Sequence, residues 1–137
     1  METNDLMIGD WVKFPIGNEK VVDLPYIEGK GICASFAASA TLFPVEVDKL
    51  EPIPLTAEIL EKNGLVKWEH GYLWKERIGI GGQTTSASSP IELIVYEGGH
   101  SVILNPHDGK EFQGSIDFVH ELQHALRLCG IDKQIEL

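Results

Sequence analysis

Residues 90–104 read PIELIVYEGGHSVIL, in which two runs rich in Ile, Leu and Val flank Gly98-Gly99. A tight turn between antiparallel strands needs residues that accept positive φ angles, and glycine accepts them without steric cost. The stretch therefore predicts a β-hairpin with strands at 90–97 and 100–104. This hairpin decides the fold class of its part of the chain, because another layer has to cover the apolar face of its sheet.

A second hairpin is predicted upstream, with strands at 65–69 and 72–78 and with His70-Gly71 as the turn. Large aromatic side chains lie on it: Trp68, Tyr72 and Trp74. We expect these rings to pack across the strands, and an exposed aromatic patch is the less favoured alternative.

A short helix is predicted at 57–63, ahead of this hairpin. Thr56 is a good N-cap because its side-chain oxygen can accept a hydrogen bond from the first turn. Glu58 places a negative charge near the helix N-terminus, and Gly64 is a typical residue for ending a helix.

A longer helix is predicted near the end of the chain, at about 116–129, with Ser115 as its cap. Gly130 is suited to the left-handed conformation that ends a helix, and Ile131 can reach back to Leu126. Apolar residues recur at helical spacing: Ile116, Val119, Leu122, Leu126 and Cys129. This stripe predicts a helix that lies across the sheet made by the hairpins.

The first part of the chain reads as short strands separated by turn residues. The strands are predicted at 10–14, 19–24, 31–35 and 42–47. Residues 49–53 are expected to close this set into a small antiparallel barrel of the SH3-like kind. The predicted fold is therefore α+β, with an N-terminal SH3-like β-barrel followed by β-hairpins packed by a C-terminal helix.

Two prolines, Pro52 and Pro54, mark the boundary between these parts. The predicted subdomains are residues 1–53, which form the barrel-like part, and residues 54–137, which contain both helices and both hairpins. The length of 137 residues suits one compact domain or two small subdomains.

The formal net charge of −10 limits the classes of partner. Nucleic acids are disfavoured because their binding depends on Lys and Arg that neutralise phosphates. Anionic membrane surfaces are disfavoured for the same reason, and no apolar run has the roughly 20 residues of a membrane span. The charge therefore fits a basic protein partner, or simple solubility, better than either of these.

The sequence contains two cysteines, Cys33 and Cys129, both among small or apolar neighbours. Two cysteines do not make a disulfide framework in a chain that can form a core, so buried free thiols are predicted. The N-terminal residues lack the basic and then apolar layout of a signal peptide, and we expect a cytoplasmic protein.

The segment 120–124, His-Glu-Leu-Gln-His, fits H-E-x-x-H. On a helix this pattern places two zinc ligands, His120 and His124, on one turn with Glu121 as general base. A catalytic zinc takes three protein ligands, and the third is expected from His100 or His107 in this hypothesis. The sequence thus has one alternative enzymatic interpretation, a zinc-dependent hydrolase.

Two observations favour a non-catalytic interpretation of the same pattern. No histidine or glutamate follows His124 at the distances that zinc proteases use, and only thirteen residues follow it. Both histidines also fall on the polar flank of the predicted helix, away from its apolar stripe. We therefore expect a solvated helix face, no bound metal and no cofactor.

Three stretches resemble one family when taken together. Residues 52–60 contain Ile-Pro-Leu-Thr-Ala-Glu-Ile-Leu, residues 118–123 read Phe-Val-His-Glu-Leu-Gln, and residues 6–12 read Leu-Met-Ile-Gly-Asp-Trp-Val. They are similar to the I-P-L-T-x-E-I-L and V-H-x-L-Q signatures and to the usual start of a family of small uncharacterised proteins from Bacteroides-type genomes and their phages. The resemblance implies a barrel-like part, an α+β part and no known activity.

The predicted function is that of a non-catalytic accessory or protein-interaction protein of phage or mobile-element origin. The contact regions are predicted in the loop 79–89, which is mostly Gly, Ser and Thr, and on the polar face of the last helix. An alternative is a pure interaction module, in which the barrel binds a peptide through Trp11, Phe14 and neighbouring aromatic residues.

Overall fold

The structure, a computed structural model, describes residues 5–14, 17–36, 44–76 and 90–137. The chain contains two compact units. Unit 1 consists of Met1–Pro54 with Phe118–His120, and unit 2 consists of Leu55–Asp117 with Glu121–Leu137. Each unit holds one five-stranded antiparallel sheet, and with the two α-helices of the described residues this confirms the predicted α+β class.

Unit 1 contains a sheet of short strands. Its strands are β1 Trp11–Phe14, β2 Gly17–Asp23, β3 Tyr26–Ile27, β4 Gly31–Phe36 and β5 Val45–Glu46. The sheet order is β1-β2-β4-β3, and β5 pairs with β4. Strands thus occur in all four places where the first part of the chain predicted them.

The end of this unit differs from the prediction of a full closing strand at 49–53. A 3₁₀ helix spans Val47–Lys49, and one isolated bridge joins Glu51 to Lys13 of β1. Within the described residues, the strands of unit 1 do not form a completely closed barrel. Pro15 and Ile16, which connect β1 and β2, lie outside the described residues.

The core of unit 1 is built from residues of its strands and of the segments that flank them. Its buried side chains are Leu6, Val12, Val21, Ala34, Phe36, Val45, Val47 and Leu50, with Phe14 and Leu24 packed against them. Asp10 is also buried, and its carboxylate accepts a hydrogen bond from the backbone N–H of Met7 (2.8 Å). This bond fixes the turn that leads into β1.

Unit 2 begins with α1, Ala57–Lys62, as its capping residues predicted. The Thr56 hydroxyl accepts a hydrogen bond from the backbone N–H of Ile59 (3.3 Å), and Glu58 lies in the first turn. Gly64 follows the helix with a φ of +87°, a conformation that a side chain would disfavour.

The sheet of unit 2 is an up-and-down meander. Its strands are β6 Val66–Trp68, β7 Gly71–Glu76, β8 Ile91–Tyr96, β9 His100–Asn105 and β10 Lys110–Ser115, in the order β10-β9-β8-β7-β6. The predicted Gly98-Gly99 hairpin is confirmed, since β8 and β9 pair around it. The predicted loop 79–89 lies outside the described residues.

Two features of this sheet differ from the prediction. The turn between β6 and β7 is formed by Glu69-His70, and Gly71 is already the first residue of β7. The edge strand β10 was not predicted, because its sequence KEFQGS has a single large apolar residue and lacks a hydrophobic pattern. Its pairing with β9 comes from backbone hydrogen bonds rather than from a buried face.

The last helix, α2, spans Val119–Leu128 and begins later than predicted. Ser115 belongs to β10 and does not cap the helix. The C-terminal end is confirmed, since Gly130 has a φ of +72° and the backbone N–H of Ile131 donates to the carbonyl of Leu126 (2.9 Å). Both cysteines are buried free thiols, as predicted. No helix in the described ranges is long and apolar enough to cross a membrane.

Candidate functional site

The H-E-x-x-H pattern lies in the first turns of α2, but its histidines do not form a solvated face. His120 is only 6% exposed, and Gln123, on the same polar flank, is also buried. His124 is half-buried. The prediction that this flank faces water is therefore wrong for His120, because tertiary packing covers it.

His120 is held by neighbours that belong to unit 1. Its ring stacks on Phe118, with centroids 6.0 Å apart and an angle of 17° between the ring planes. Phe118 forms a bridge with Pro54, and the backbone N–H of Val119 donates to the carbonyl of Ile53 (2.9 Å). These contacts explain why a polar side chain on this helix is buried.

Glu121 is occupied at the start of the helix. Its Oε1 atom accepts a hydrogen bond from the backbone N–H of Asp117 (3.1 Å). A glutamate in the first turn of a helix commonly reaches back in this way to satisfy an N–H group that lacks an intrahelical partner. The residue that the motif would make a general base thus contributes to helix capping.

The histidines proposed as third ligands lie elsewhere in unit 2. His100 is the first residue of β9 and its ring lies 5.9 Å from that of Tyr96, whereas His107 is exposed in the turn before β10. Within the part of the chain that the structure describes, no three His, Cys, Asp or Glu side chains come together in a way that could hold a metal ion. The four histidines of the zinc hypothesis are thus not assembled into one group there.

Trp11 and Phe14, the aromatic residues of the peptide-binding alternative, differ in their surroundings. Phe14 packs against the core of unit 1. Trp11 is half-buried and pairs across the strands with Lys20, whose ammonium lies 5.9 Å from the centroid of the Trp11 ring. Trp11 thus lies partly at the surface beside a charged neighbour, whereas Phe14 contributes to the core.

A row of aromatic rings crosses the sheet of unit 2. Trp68 of β6 and Tyr96 of β8 both pair with Gly71 of β7, and their rings meet at a centroid distance of 6.0 Å. His70 and His100 extend the row at 5.0 Å from Trp68 and 5.9 Å from Tyr96. Trp68, His70 and His100 are exposed and Tyr96 is half-buried. Of the three aromatic residues predicted to pack across the strands, Trp68 is thus partly at the surface, whereas Tyr72 and Trp74 are half-buried.

Gly71 makes this row possible. A Cβ atom at this position would lie 2.0 Å from the carbonyl oxygen of Val95, and the φ of +148° also disfavours a side chain. Because Gly71 has no side chain, the rings of the residues on its two neighbouring strands contact each other over it. In the sequence, the feature that could have predicted this contact is Gly71 itself, which lies between Trp68 and Tyr72.

A cleft of about 360 Å³ opens beside this row, within unit 2. Its apolar lining includes Leu60, Val95 and Ile116, which are buried. Tyr72 and Tyr96 also line it, the Tyr72 side chain on the same sheet face as Val95 and that of Tyr96 on the opposite face with Trp68. Apolar lining with a few polar groups is the usual composition of a binding cleft.

Charged side chains lie at the mouth of the cleft. Glu97, Asp117 and Lys67 are exposed there. The Asp117 carboxylate lies close to the backbone of Gly99, since a Cβ at that glycine would be 2.9 Å from its Oδ1 atom. Gly99 thus leaves room for this carboxylate.

Tyr72 connects the cleft to a further carboxylate. Its hydroxyl donates a hydrogen bond to Oε1 of Glu61 (3.3 Å). Burial raises the pKa of the Tyr72 phenol above its ordinary value of 10.0, and the Glu61 carboxylate raises it further. Tyr72 therefore remains a neutral hydrogen-bond donor at physiological pH.

Comparisons of the chain with protein-family models, with curated proteins and with solved structures gave no match.

Proposed function

We propose that this chain is a non-catalytic accessory protein that acts by binding another protein through unit 1. The observation that carries this proposal is a pair of exposed apolar side chains. Tyr26 and Ile32 face each other across β3 and β4, and they are 74% and 39% exposed. Adjacent exposed apolar residues are typical of protein-binding surfaces, whereas isolated ones are not informative.

Further apolar side chains are exposed in the same unit. Five of the eight large apolar residues that are exposed in the described ranges belong to unit 1: Met7, Ile8, Val22, Tyr26 and Ile32. Ile8 and Val22 lie near each other in the backbone, because Gly9 donates its N–H to the carbonyl of Val21 (2.7 Å). The exposed apolar surface is thus concentrated on the smaller unit.

We also propose that unit 1 is a small barrel of the SH3-like kind. Pairing runs from Glu51 through β1, β2 and β4 to β5, which in a flat sheet spans about 19 Å at the usual strand spacing. The chain from Glu46 to Glu51 includes a 3₁₀ helix and covers only about 13 Å. This short connection supports a sheet that curls upon itself.

The non-catalytic part of the proposal is supported by the surroundings of the helix motif. His120 is buried beside Phe118, and the Glu121 carboxylate binds the backbone at the helix start. Both side chains therefore have structural roles that account for their presence.

The origin and location are proposed from the sequence. The three stretches at 6–12, 52–60 and 118–123 support membership of the family of small proteins from Bacteroides-type genomes and their phages. A cytoplasmic location is part of the same proposal. The net charge of −10 supports a protein partner over a nucleic acid.

The test compares two variants of the full chain as affinity baits in a lysate of the native host. The double variant Tyr26→Ser/Ile32→Thr removes the exposed pair, and Val66→Thr, at a residue 69% exposed in unit 2, is the matched control. We expect the captured partner to be lost with the first variant and kept with the second. Equal capture by both variants, with unchanged melting temperatures, would reject unit 1 as the binding surface.

A further inference from the structure

We infer that the cleft of unit 2 binds the cationic side chain of an Arg or Lys residue presented by a basic protein segment. The site is separate from the apolar surface of unit 1, so the inference goes beyond the proposed function and does not depend on it. It rests on the charge, the aromatic wall and the apolar lining of one cleft.

The charge of the cleft favours a cation. Two carboxylates, Glu97 and Asp117, lie at its mouth against one ammonium, that of Lys67. A third carboxylate, that of Glu61, is bound to the Tyr72 hydroxyl at its wall. The mouth is therefore negative, and the net charge of −10 on the whole chain adds to the attraction for a basic partner.

An aromatic wall suits the same ligand. A guanidinium or ammonium group is attracted to the face of an aromatic ring, and the Tyr72 side chain shares its sheet face with Val95 in the lining of the cleft. The hydrogen bond from the Tyr72 hydroxyl to Glu61 (3.3 Å) holds this ring in place. A ring that is already fixed loses little conformational entropy when a ligand stacks on it.

The buried lining suits the aliphatic part of such a side chain. Arg and Lys carry three or four methylene groups that pack on apolar surface while the charged end stays near water. Leu60, Val95 and Ile116 supply that surface below the charged mouth. The cleft volume of about 360 Å³ falls within the range of ligand pockets, about 300–1,000 Å³.

The test uses capped pentapeptides as probes and amide chemical shifts of the ¹⁵N-labelled full chain as readout. The probe is acetyl-Gly-Gly-Arg-Gly-Gly-amide, and the controls carry Gln or Glu in place of Arg. We expect the Arg peptide to shift the amides of Gly71, Tyr72, Tyr96 and Gly99. Binding of the Gln or Glu peptide as strong as that of the Arg peptide would overturn the inference.

Matched variants separate a specific site from general attraction to an acidic protein. Glu97→Gln/Asp117→Asn and Glu28→Gln/Asp48→Asn remove the same charge, and the second pair lies exposed in unit 1. We expect the first pair to weaken binding of the Arg peptide about fivefold and the second pair to leave it nearly unchanged. Equal weakening by both pairs would show non-specific attraction and overturn the inference.

A third variant keeps the inference testable if the first pair perturbs the fold. Tyr72→Leu removes the aromatic wall but no charge, and we expect it to weaken binding of the Arg peptide about threefold. Unchanged affinity in Tyr72→Leu, with an intact melting transition, would contradict the site. Partner capture by the unit 1 variant does not depend on peptide binding by the cleft of unit 2. Either proposal can therefore be rejected without rejecting the other.

Discussion

The side-chain amide of Asn63 forms a closed pair of hydrogen bonds with the backbone of Glu136, 73 positions away in the sequence. The Nδ2 group donates to the carbonyl of Glu136, and the Oδ1 atom accepts from its N–H, both at 2.7 Å. Nδ2 also donates to the carbonyl of Ile59 (2.7 Å). One buried amide thus ties the end of α1 to the C-terminal tail, in which Ile135 is buried.

Replacing Asn63 by Ala is expected to lower the free energy of unfolding by about 2–3 kcal/mol. Three hydrogen bonds are lost, and the backbone N–H and carbonyl of Glu136 lose their side-chain partner. Urea denaturation measures the change, with the exposed Gln134→Ala as control in the same tail. A loss in Asn63→Ala no larger than in the control would show that the tail is not held by this amide.

Replacing Glu121 by Ala is expected to lower the free energy of unfolding by about 0.5–1 kcal/mol, because the N–H of Asp117 loses its acceptor. Glu121→Gln retains an acceptor oxygen and is expected to lose less than half of that amount. Thermal denaturation at low salt measures both. If Glu121→Ala were as stable as the wild type, the capping role assigned to this carboxylate would be wrong.

Two glycines at helix ends provide a matched comparison. Gly64 and Gly130 have φ angles of +87° and +72°, but a Cβ at Gly130 would lie 2.3 Å from Oδ2 of Asp108, while one at Gly64 would meet nothing within 4 Å. Gly64→Ala is expected to cost about 1–2 kcal/mol from the left-handed conformation alone. Gly130→Ala is expected to cost more, and the excess should fall when Asp108→Ala is added.

A double-mutant cycle checks this comparison, because Asp108 also bonds to Asn105 and its own replacement has a cost. The double variant Gly130→Ala/Asp108→Ala should lose less free energy of unfolding than the sum of the two single variants. Additive effects of the two substitutions would show that the carboxylate moves aside without cost.

The thiol of Cys129 is expected to react slowly in the folded protein. Burial raises its pKa above the ordinary value of 9.0; the charge of Lys110 lowers this pKa, and that of Glu111 raises it. Because the folded-state pKa is the higher one, its contribution to stability is full below pH 9 and falls as the pH rises through the folded pKa. In the variant Cys33→Ser, Cys129 is the remaining thiol, and its rate of labelling by a thiol reagent is measured with and without urea. Equal rates in the folded and unfolded protein would contradict the expected slow reaction.

Local signals in the sequence account for the elements that were predicted well. The N-cap Thr56 and Glu58 lie within one turn of α1, and Gly98-Gly99 lies between the two strands that it joins. Interactions between residues a few positions apart can be predicted from the sequence because they depend only on neighbouring residues. The C-terminal end of α2, with Gly130, belongs to the same class.

The start of α2 and the strand β10 were missed for a different reason. The sequence predicted Ser115 as a helix cap, but Ser115 lies in β10 and pairs with His100 of β9. The strand pairing overrides the local capping preference. The sequence of β10 carries no apolar alternation, since it lies at the edge of the sheet with most of its side chains exposed. Neither outcome can be read from the neighbouring residues alone.

The sequence by itself determined the α+β class, the first helix, the Gly98-Gly99 hairpin and the burial of both thiols, because capping, turn and composition preferences act over short distances. Only the tertiary structure decided that His120 is buried beside Phe118 and that Tyr96 meets Trp68 across Gly71. Packing between distant segments sets these contacts, and it overrides the polarity pattern that a single helix presents.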